Sequence, residues 1–150
     1  MKKMNNKGFS LVELIVVIAI MGVLMVVLAP QYLRYVEKSR LQKDNSAIAE
    51  VAENIKIALS DQQIYEKVTT GTTVTIGGSG VKVTGASELK TELQNTIGSL
   101  TDVTLTSNAY KGNTVTLTIT QSSSTGNTFV VTGSGLYFSV GQKNASSTTF

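Results

Sequence analysis

The chain has 150 residues, of which 41% are apolar and only 15% are charged, and it contains neither Cys nor His. These absences exclude disulfides, cysteine nucleophiles, zinc–thiolate sites and all imidazole chemistry. The formal net charge of +3 is accounted for by Lys2, Lys3 and Lys7, because the chain beyond residue 8 carries equal numbers of basic and acidic residues. The basic balance therefore belongs to a short N-terminal segment and does not indicate a nucleic-acid partner.

Residues 9–29 form an apolar segment in which Glu13 is the single charged residue. As a helix this segment spans about 31 Å, which is the thickness of the hydrocarbon core of a bilayer. A helix that is apolar on every side is typical of a membrane span and is rarely buried in a soluble protein of this size. The segment is therefore predicted to be a membrane helix, with a buried core helix as the alternative.

Residues 31–67 contain fewer apolar positions, which recur at steps of three or four from Ile48 onward. This periodicity predicts an amphipathic helix with one apolar face. We expect this helix to continue the apolar one across Pro30, with a kink or local melting there, because proline removes a backbone donor and clashes one turn back. The predicted apolar stripe consists of Ile48, Val51, Ile55, Ala58 and Leu59, and the charged residues off the stripe are Glu50, Glu53 and Lys56.

Residues 68–150 hold every Thr of the chain and most of its Gly. Alternation of Thr with apolar residues predicts an antiparallel sheet with one wet face. Leu89, Leu93 and Ile97 at four-residue steps predict a short helix over Ser87–Ile97 that Gly98 ends. The predicted strands are Thr72–Ile76, Val81–Thr84, Val103–Thr106, Thr114–Thr120, Thr128–Thr132 and Leu136–Val140, with a hairpin loop at Ser122–Gly126. The fold class is therefore α+β: the second half of a long helix packs on the sheet and the first half projects.

The apolar N-terminal segment is open to several interpretations. A secretory signal peptide would be cut after Ala29, but Leu28 before that position and Pro30 after it make a poor cleavage site. A lipoprotein requires a Cys, which the chain lacks. An ordinary signal anchor remains possible, but it gives no reason for a charge in the span. Glu13 is costly in a membrane helix. If the chain were cut between Gly8 and Phe9, Glu13 could pair with its own new amine or with that of a neighbouring subunit; alternatively, it lies at the membrane interface.

The run Lys7-Gly8-Phe9-Ser10-Leu11-Val12-Glu13 resembles the prepilin peptidase site of type IV pilins, and the likeness extends through Pro30. The resemblance implies an extended N-terminal helix half embedded in a four-stranded antiparallel sheet. It also implies cleavage after Gly8, N-methylation of the new N-terminus Phe9, and neutralisation of a neighbouring Phe9 amine by Glu13 during assembly. Gly22 and Pro30 would bound a stretch that loses helicity on assembly.

The same resemblance implies that the chain is a structural subunit, the major pilin, and not an enzyme. Its domains would be a cleaved leader (1–8), a membrane and filament-core helix (9–30), an amphipathic helix (31–67) and a sheet domain (68–150). The subunit would cross the cell membrane once before assembly and then enter an extracellular homopolymeric fibre used for adhesion, surface motility or biofilm formation.

The implied partners are prepilin peptidase, an inner-membrane platform protein and the assembly and retraction ATPases. No cofactor, metal or nucleic acid is expected. The short leader is similar to that of type IVa pilins, and the lack of Cys is similar to pilins of Gram-positive anaerobes.

Two other functions compete with a major pilin. A minor pilin, or a pseudopilin of a type II secretion or competence system, would have the same leader and helix. A membrane-anchored enzyme could use Glu88 and Glu92 as an acid–base pair, although both are expected to face solvent beside Lys90. Asn144-Ala145-Ser146 also fits a glycosylation sequon, which by itself occurs close to chance frequency.

Four basic residues follow the apolar segment closely, so the positive-inside rule does not decide the membrane orientation. They are expected to pair with Glu37, Asp44 or a neighbour's acidic residues in a filament. The four are Arg34, Lys38, Arg40 and Lys43.

Overall fold

The computed structural model describes residues 8–122, 128–135 and 148–149. The helices are α1 (Leu11–Leu59), α2 (Gln62–Tyr65) and α3 (Ser87–Ile97). The strands are β1 (Thr72–Gly77), β2 (Gly80–Thr84), β3 (Val115–Ser122), β4 (Thr128–Ser134) and β5 (Thr148–Thr149). Two compact units share α1, the first extending to Val36 and the second beginning at Glu37. The predicted α+β class is confirmed.

The first unit contains the apolar part of α1. Every described residue up to Tyr35 is exposed, and the apolar side chains from Leu11 to Leu28 have no polar face opposite them. By length and composition α1 is able to cross a membrane. Its helical assignment continues through Pro30, so the expected local melting is not seen in this structure.

In the second unit α1 buries one face. The predicted stripe from Ile48 to Leu59 is buried, and it is extended toward the N-terminus by Leu41 and Asp44. Glu50, Glu53 and Lys56 are exposed, as predicted. The periodicity of the sequence therefore identified the packing face of the helix correctly.

The sheet is antiparallel and has the order β2-β1-β3-β4-β5 among the described residues. Alternation along the strands turns the apolar residues inward, since successive side chains point to opposite faces. Val74 pairs with Leu117, and Ile119 pairs with Val131, within this buried layer. Thr residues occupy most of the alternate positions, so the Thr-bearing face of the sheet meets solvent more than the apolar face does.

The helix α3 has the predicted bounds. Leu89 and Leu93 are fully buried, while Ile97 is half-buried beside the same core. Gly98 ends the helix with φ +88°, a value that glycine adopts without the clash a Cβ would cause. The N–H of Gly98 donates to the carbonyl of Gln94 at 3.0 Å.

The predicted strand Val103–Thr106 is wrong. Its backbone donors are taken by other groups: the N–H of Leu105 donates to the Gly77 carbonyl at 3.2 Å, and that of Thr106 donates to the Asp44 carboxylate at 2.9 Å. A segment bonded in this way has no ladder partner along its length.

The ends of the sheet show further differences from expectation. The helix α2 and the strand β5 were not predicted. Asp61 caps α2 by accepting a hydrogen bond from the Gln63 N–H at 2.8 Å, so an N-cap signal was present in the sequence. The predicted strand Leu136–Val140, residues 123–126 of the predicted loop, and Asn144 lie outside the described residues.

Three side chains of α1 hold the segment 99–114 between α3 and β3. The Asp44 carboxylate, 1% exposed, accepts hydrogen bonds from the Thr106 N–H at 2.9 Å and the Ser107 N–H at 2.7 Å. Glu37 accepts from the backbone and side-chain amides of Asn108. These bonds, with that from the Tyr110 hydroxyl to Asn45 at 2.7 Å, fasten an irregular segment that has no disulfide available. We call this set the α1 clasp.

The buried stripe of α1 is expected to carry much of the stability of the second unit. Ile55→Ala removes a side chain that is 0% exposed and should lower the free energy of unfolding by about 2–5 kcal/mol. Ile57→Ala, at a position 57% exposed on the same helix, should change it by less than about 0.5 kcal/mol. Urea denaturation of the full chain in detergent, followed by circular dichroism, measures both, and equal effects would contradict this packing.

The clasp is expected to stabilise the chain through Asp44. Asp44→Ala leaves the Ser107 N–H buried without its acceptor and should cost about 2–4 kcal/mol. The matched control Glu50→Ala removes an exposed acid from the same helix and should be nearly neutral. The same denaturation experiment compares them, and a neutral Asp44→Ala would show that segment 99–114 does not depend on this carboxylate.

Candidate processing and assembly site

The first turn of α1 is closed by a capping box. Ser10 is the N-cap: its Oγ accepts a hydrogen bond from the Val12 N–H at 3.4 Å, and its carbonyl accepts one from the Leu14 N–H at 3.3 Å. Oε2 of Glu13, three residues later, accepts a hydrogen bond from the Ser10 N–H at 2.9 Å. This reciprocal arrangement satisfies backbone donors that a helix start otherwise leaves unpaired.

The capping box leaves Gly8 and Phe9 outside the helix. Both residues are exposed, and Phe9 is 92% exposed. A Cβ added at Gly8 would meet no atom within 4 Å. The peptide bond between Gly8 and Phe9 is therefore accessible and free of helical hydrogen bonding, as a protease substrate needs to be.

Glu13 also caps the helix, a role that was not predicted from the sequence. Its carboxylate lies in the first turn of α1, where the positive end of the helix dipole favours a negative charge. The pattern Ser10-x-x-Glu13 is a sequence signature of this cap, so Ser10 could have been identified in advance. Pairing of Glu13 with its own Phe9 amine, pairing with that of a neighbouring subunit, and a position at the membrane interface all require a cleaved chain or a membrane. These three alternatives stay predictions.

The remaining predicted site residues lie along α1 and are not brought together. Gly22 lies in the fully exposed apolar part of the helix, and a Cβ added there would meet no atom within 4 Å. Ala19, Ile20, Val23 and Leu24 line a shallow apolar depression in the same turns. No described residue therefore explains a glycine at position 22 by contact with its Cα.

Glu88 and Glu92 line an open cleft of about 270 Å³ with Lys67. Hydrogen bonds from Ser87, from backbone N–H and from Lys67 lower the pKa of Glu88, and the Lys67 ammonium lies 3.3 Å from its carboxylate. A general acid at neutral pH needs the opposite shift. Among the described residues no group of three or more acidic side chains is placed to hold a metal.

The sequence also resembles known proteins. The family description "Prokaryotic N-terminal methylation motif" matches residues 3–29. Prepilin peptidase-dependent protein A of Clostridium perfringens is 30% identical over 101 residues, which cover 65% of this chain and 71% of that protein.

Two type IV major fimbrial proteins FimA of Dichelobacter nodosus are also similar. One is 32% identical over 80 residues, covering 52% of this chain and 50% of the relative; another is 36% identical over 59 residues, covering 39% and 38%. No solved structure matches the chain. The motif at residues 3–29, the long apolar helix on an antiparallel sheet and these relatives together show that the chain belongs to the type IV pilin family.

Proposed function

We propose that this chain is the major structural subunit of a type IV pilus, processed between Gly8 and Phe9 and polymerised through α1. The observation that carries the proposal is the exposure of the entire apolar part of α1 behind a capped helix start. Such a surface has no partner within the described chain, and it needs a membrane or other copies of the helix around it. The name of the Dichelobacter relatives, major fimbrial protein, supports the major role.

Processing would be the hydrolysis of an exposed peptide bond by prepilin peptidase. The leader, residues 1–8, would be released, and Phe9 would become an N-methylated amine at the start of a preformed helix. The Clostridium relative is named as a prepilin peptidase-dependent protein, which supports this step. The capping box would survive cleavage, because Ser10 and Glu13 both remain in the mature chain.

Assembly would use the charge of Glu13. An unpaired carboxylate in a membrane helix costs roughly 2.5–3.5 kcal/mol near the bilayer centre, and less near the ends. In the described residues Oε2 of Glu13 accepts the capping bond and Oε1 accepts none. Pairing of this carboxylate with the Phe9 amine of a neighbouring subunit would offset the cost and fix the axial register of adjacent helices.

Gly22 and Pro30 would bound a segment of α1 that opens when subunits pack. Gly lowers helix stability by about 1 kcal/mol relative to Ala, and Pro removes one backbone donor. The continuous helix of the isolated chain would then be the state before assembly. Opening between these two residues would let the apolar helices adjust in length within a filament core.

The implied organisation is a leader (1–8), a membrane and filament-core helix (9–30), an amphipathic helix (31–67) and a sheet domain (68–150). The subunit would cross the membrane once and then join an extracellular fibre serving adhesion, motility or biofilm formation. An inner-membrane platform protein and separate ATPases would drive assembly and retraction. The chain itself would have no enzymatic activity.

The processing proposal is tested on sheared surface fibres by intact mass and N-terminal sequence. Abundant chain beginning with N-methyl-Phe9 is the expected result. The same processed chain confined to membranes at low copy would favour a minor pilin or a pseudopilin. An uncut chain beginning at Met1, in cells with active peptidase, would contradict the proposal.

Gly8→Val should reduce cleavage by about tenfold or more, through a clash with the peptidase pocket. The expected clash is with the peptidase and not with this chain, because a Cβ added at Gly8 would meet no atom within 4 Å. Gly78→Val is the matched control, since Gly78 is also exposed and unobstructed, and it should be cleaved normally. Quantitative mass spectrometry of membrane fractions gives the cleaved share of each variant.

Glu13→Gln should separate the two roles of this residue. Gln is accepted in a capping box, so α1 should start at the same residue, while the charge for pairing is lost. We expect the variant to be cleaved and to enter sheared fibres at least about tenfold less than the wild type. Glu50→Gln, which removes an exposed acid farther along α1, should assemble normally. Normal fibre yield from Glu13→Gln would refute the pairing role.

A further inference from the structure

Three exposed cations follow the apolar part of α1. Arg34, Lys38 and Arg40 lie four to ten residues after Pro30 along the chain, and all three are exposed. Among the described residues the ion pairs are Lys56 with Glu53 and Lys67 with Glu88. We call Arg34, Lys38 and Arg40 the juxtamembrane cations; their positive charge is not compensated by an ion pair in the described chain.

The acids expected to neutralise these cations are engaged elsewhere. Both oxygens of Glu37 accept hydrogen bonds from Asn108, and both oxygens of Asp44 accept hydrogen bonds from Thr106, with Ser107 adding another. The expectation that Glu37 and Asp44 pair with the basic residues is therefore not met in the described structure. Each acid accepts hydrogen bonds within the α1 clasp, and over residues 34–40 the three cations outnumber the single acid, Glu37.

Lys43 differs from the other three basic residues. It lines a cleft of about 270 Å³ together with Glu50 and Asp102, and so has acidic residues near it. Lys43 is therefore not one of the juxtamembrane cations.

Two tyrosines mark the same stretch of sequence as interfacial. Tyr32 and Tyr35 are both exposed, on either side of Arg34. Tyr is enriched where a membrane span meets the headgroup layer, because its ring is apolar and its hydroxyl is polar. An apolar span followed by exposed Tyr interleaved with exposed Arg and Lys is typical of such a boundary.

We propose that, before assembly, the juxtamembrane cations bind the phosphate groups of anionic phospholipids in the leaflet that surrounds α1. Clustered Lys and Arg next to a span attract anionic headgroups, and guanidinium groups match phosphate geometry. No ion pair with an acid of α1 occupies these cations in the described residues, which leaves them available to this partner. The inference rests on the proposed membrane-embedded subunit. Binding of lipid phosphate by these cations would help to hold the subunit in the bilayer until it leaves the membrane to join the filament.

The test uses the full chain reconstituted in vesicles of phosphatidylcholine and phosphatidylglycerol. Spin-labelled lipids of each kind report the association of phosphatidylglycerol relative to phosphatidylcholine at the protein surface. The wild type should prefer phosphatidylglycerol, and added salt should weaken the preference by screening. In the triple variant Arg34→Gln, Lys38→Gln, Arg40→Gln this preference for phosphatidylglycerol should fall by roughly threefold to fivefold.

A matched control separates position from charge. Lys82→Gln, Lys90→Gln, Lys111→Gln removes the same charge from exposed positions in β2, α3 and segment 99–114, all beyond α1, and should keep the wild-type preference. Circular dichroism of both variants verifies the fold. The inference is overturned if the juxtamembrane variant keeps the full lipid preference. If that variant keeps the preference but no longer enters sheared fibres in cells, the cations bind acids of a neighbouring subunit instead of lipid. The inference is also overturned if the control loses as much.

Resistance to alkaline extraction distinguishes this failure from a failure of the proposed function. A wild-type chain that is not embedded in the membrane contradicts the proposed function itself. An embedded chain without lipid preference contradicts only the role of Arg34, Lys38 and Arg40.

Discussion

The apolar stripe of α1 between Leu41 and Leu59 is the contact on which the second unit depends. A small antiparallel sheet with one apolar face is too small to be stable by itself. The inward residues of β1, β3 and β4 gain a second layer because α1 and α3 contribute apolar side chains to the same core. The part of α1 before Val36 offers no such one-sided stripe, and it belongs to a different unit. The pattern of apolar residues thus divides one continuous helix into two roles.

Hydrogen bonds to the carboxylates of α1 hold an irregular segment in place, as disulfides do in many small secreted domains. Segment 99–114 has little regular structure, yet the donors of its central turn are satisfied by Asp44 and Glu37 from α1. Charged acceptors make stronger hydrogen bonds than neutral ones. Neither acid forms an ion pair with Arg34, Lys38 or Arg40 in the described residues, so a structural requirement of the second unit bears on the charge that follows the apolar part of α1.

At the other end of α1, one carboxylate has two uses. Glu13 closes the first turn of the isolated chain through Ser10, and in the proposed filament it would also neutralise a neighbouring amine. The two uses are compatible, because a carboxylate has two oxygens and several acceptor positions. A capped start places Gly8 and Phe9 outside the helix, so the same short pattern forms the helix start and would serve the proposed processing.

The sequence by itself determined the elements whose signal is local. The apolar run, the stripe from Ile48 to Leu59, the bounds of α3 and the cores of β1 to β4 follow from periodicity, and the leader motif follows from adjacent residues. Only the tertiary structure decided what Asp44 and Glu37 bind, and therefore that Val103–Thr106 is not a strand. The strand order was equally out of reach. The bonds of Asp44 and Glu37 join residues more than sixty positions apart and depend on which donors lie nearest once the core has formed, whereas periodicity reports only on neighbours along the chain.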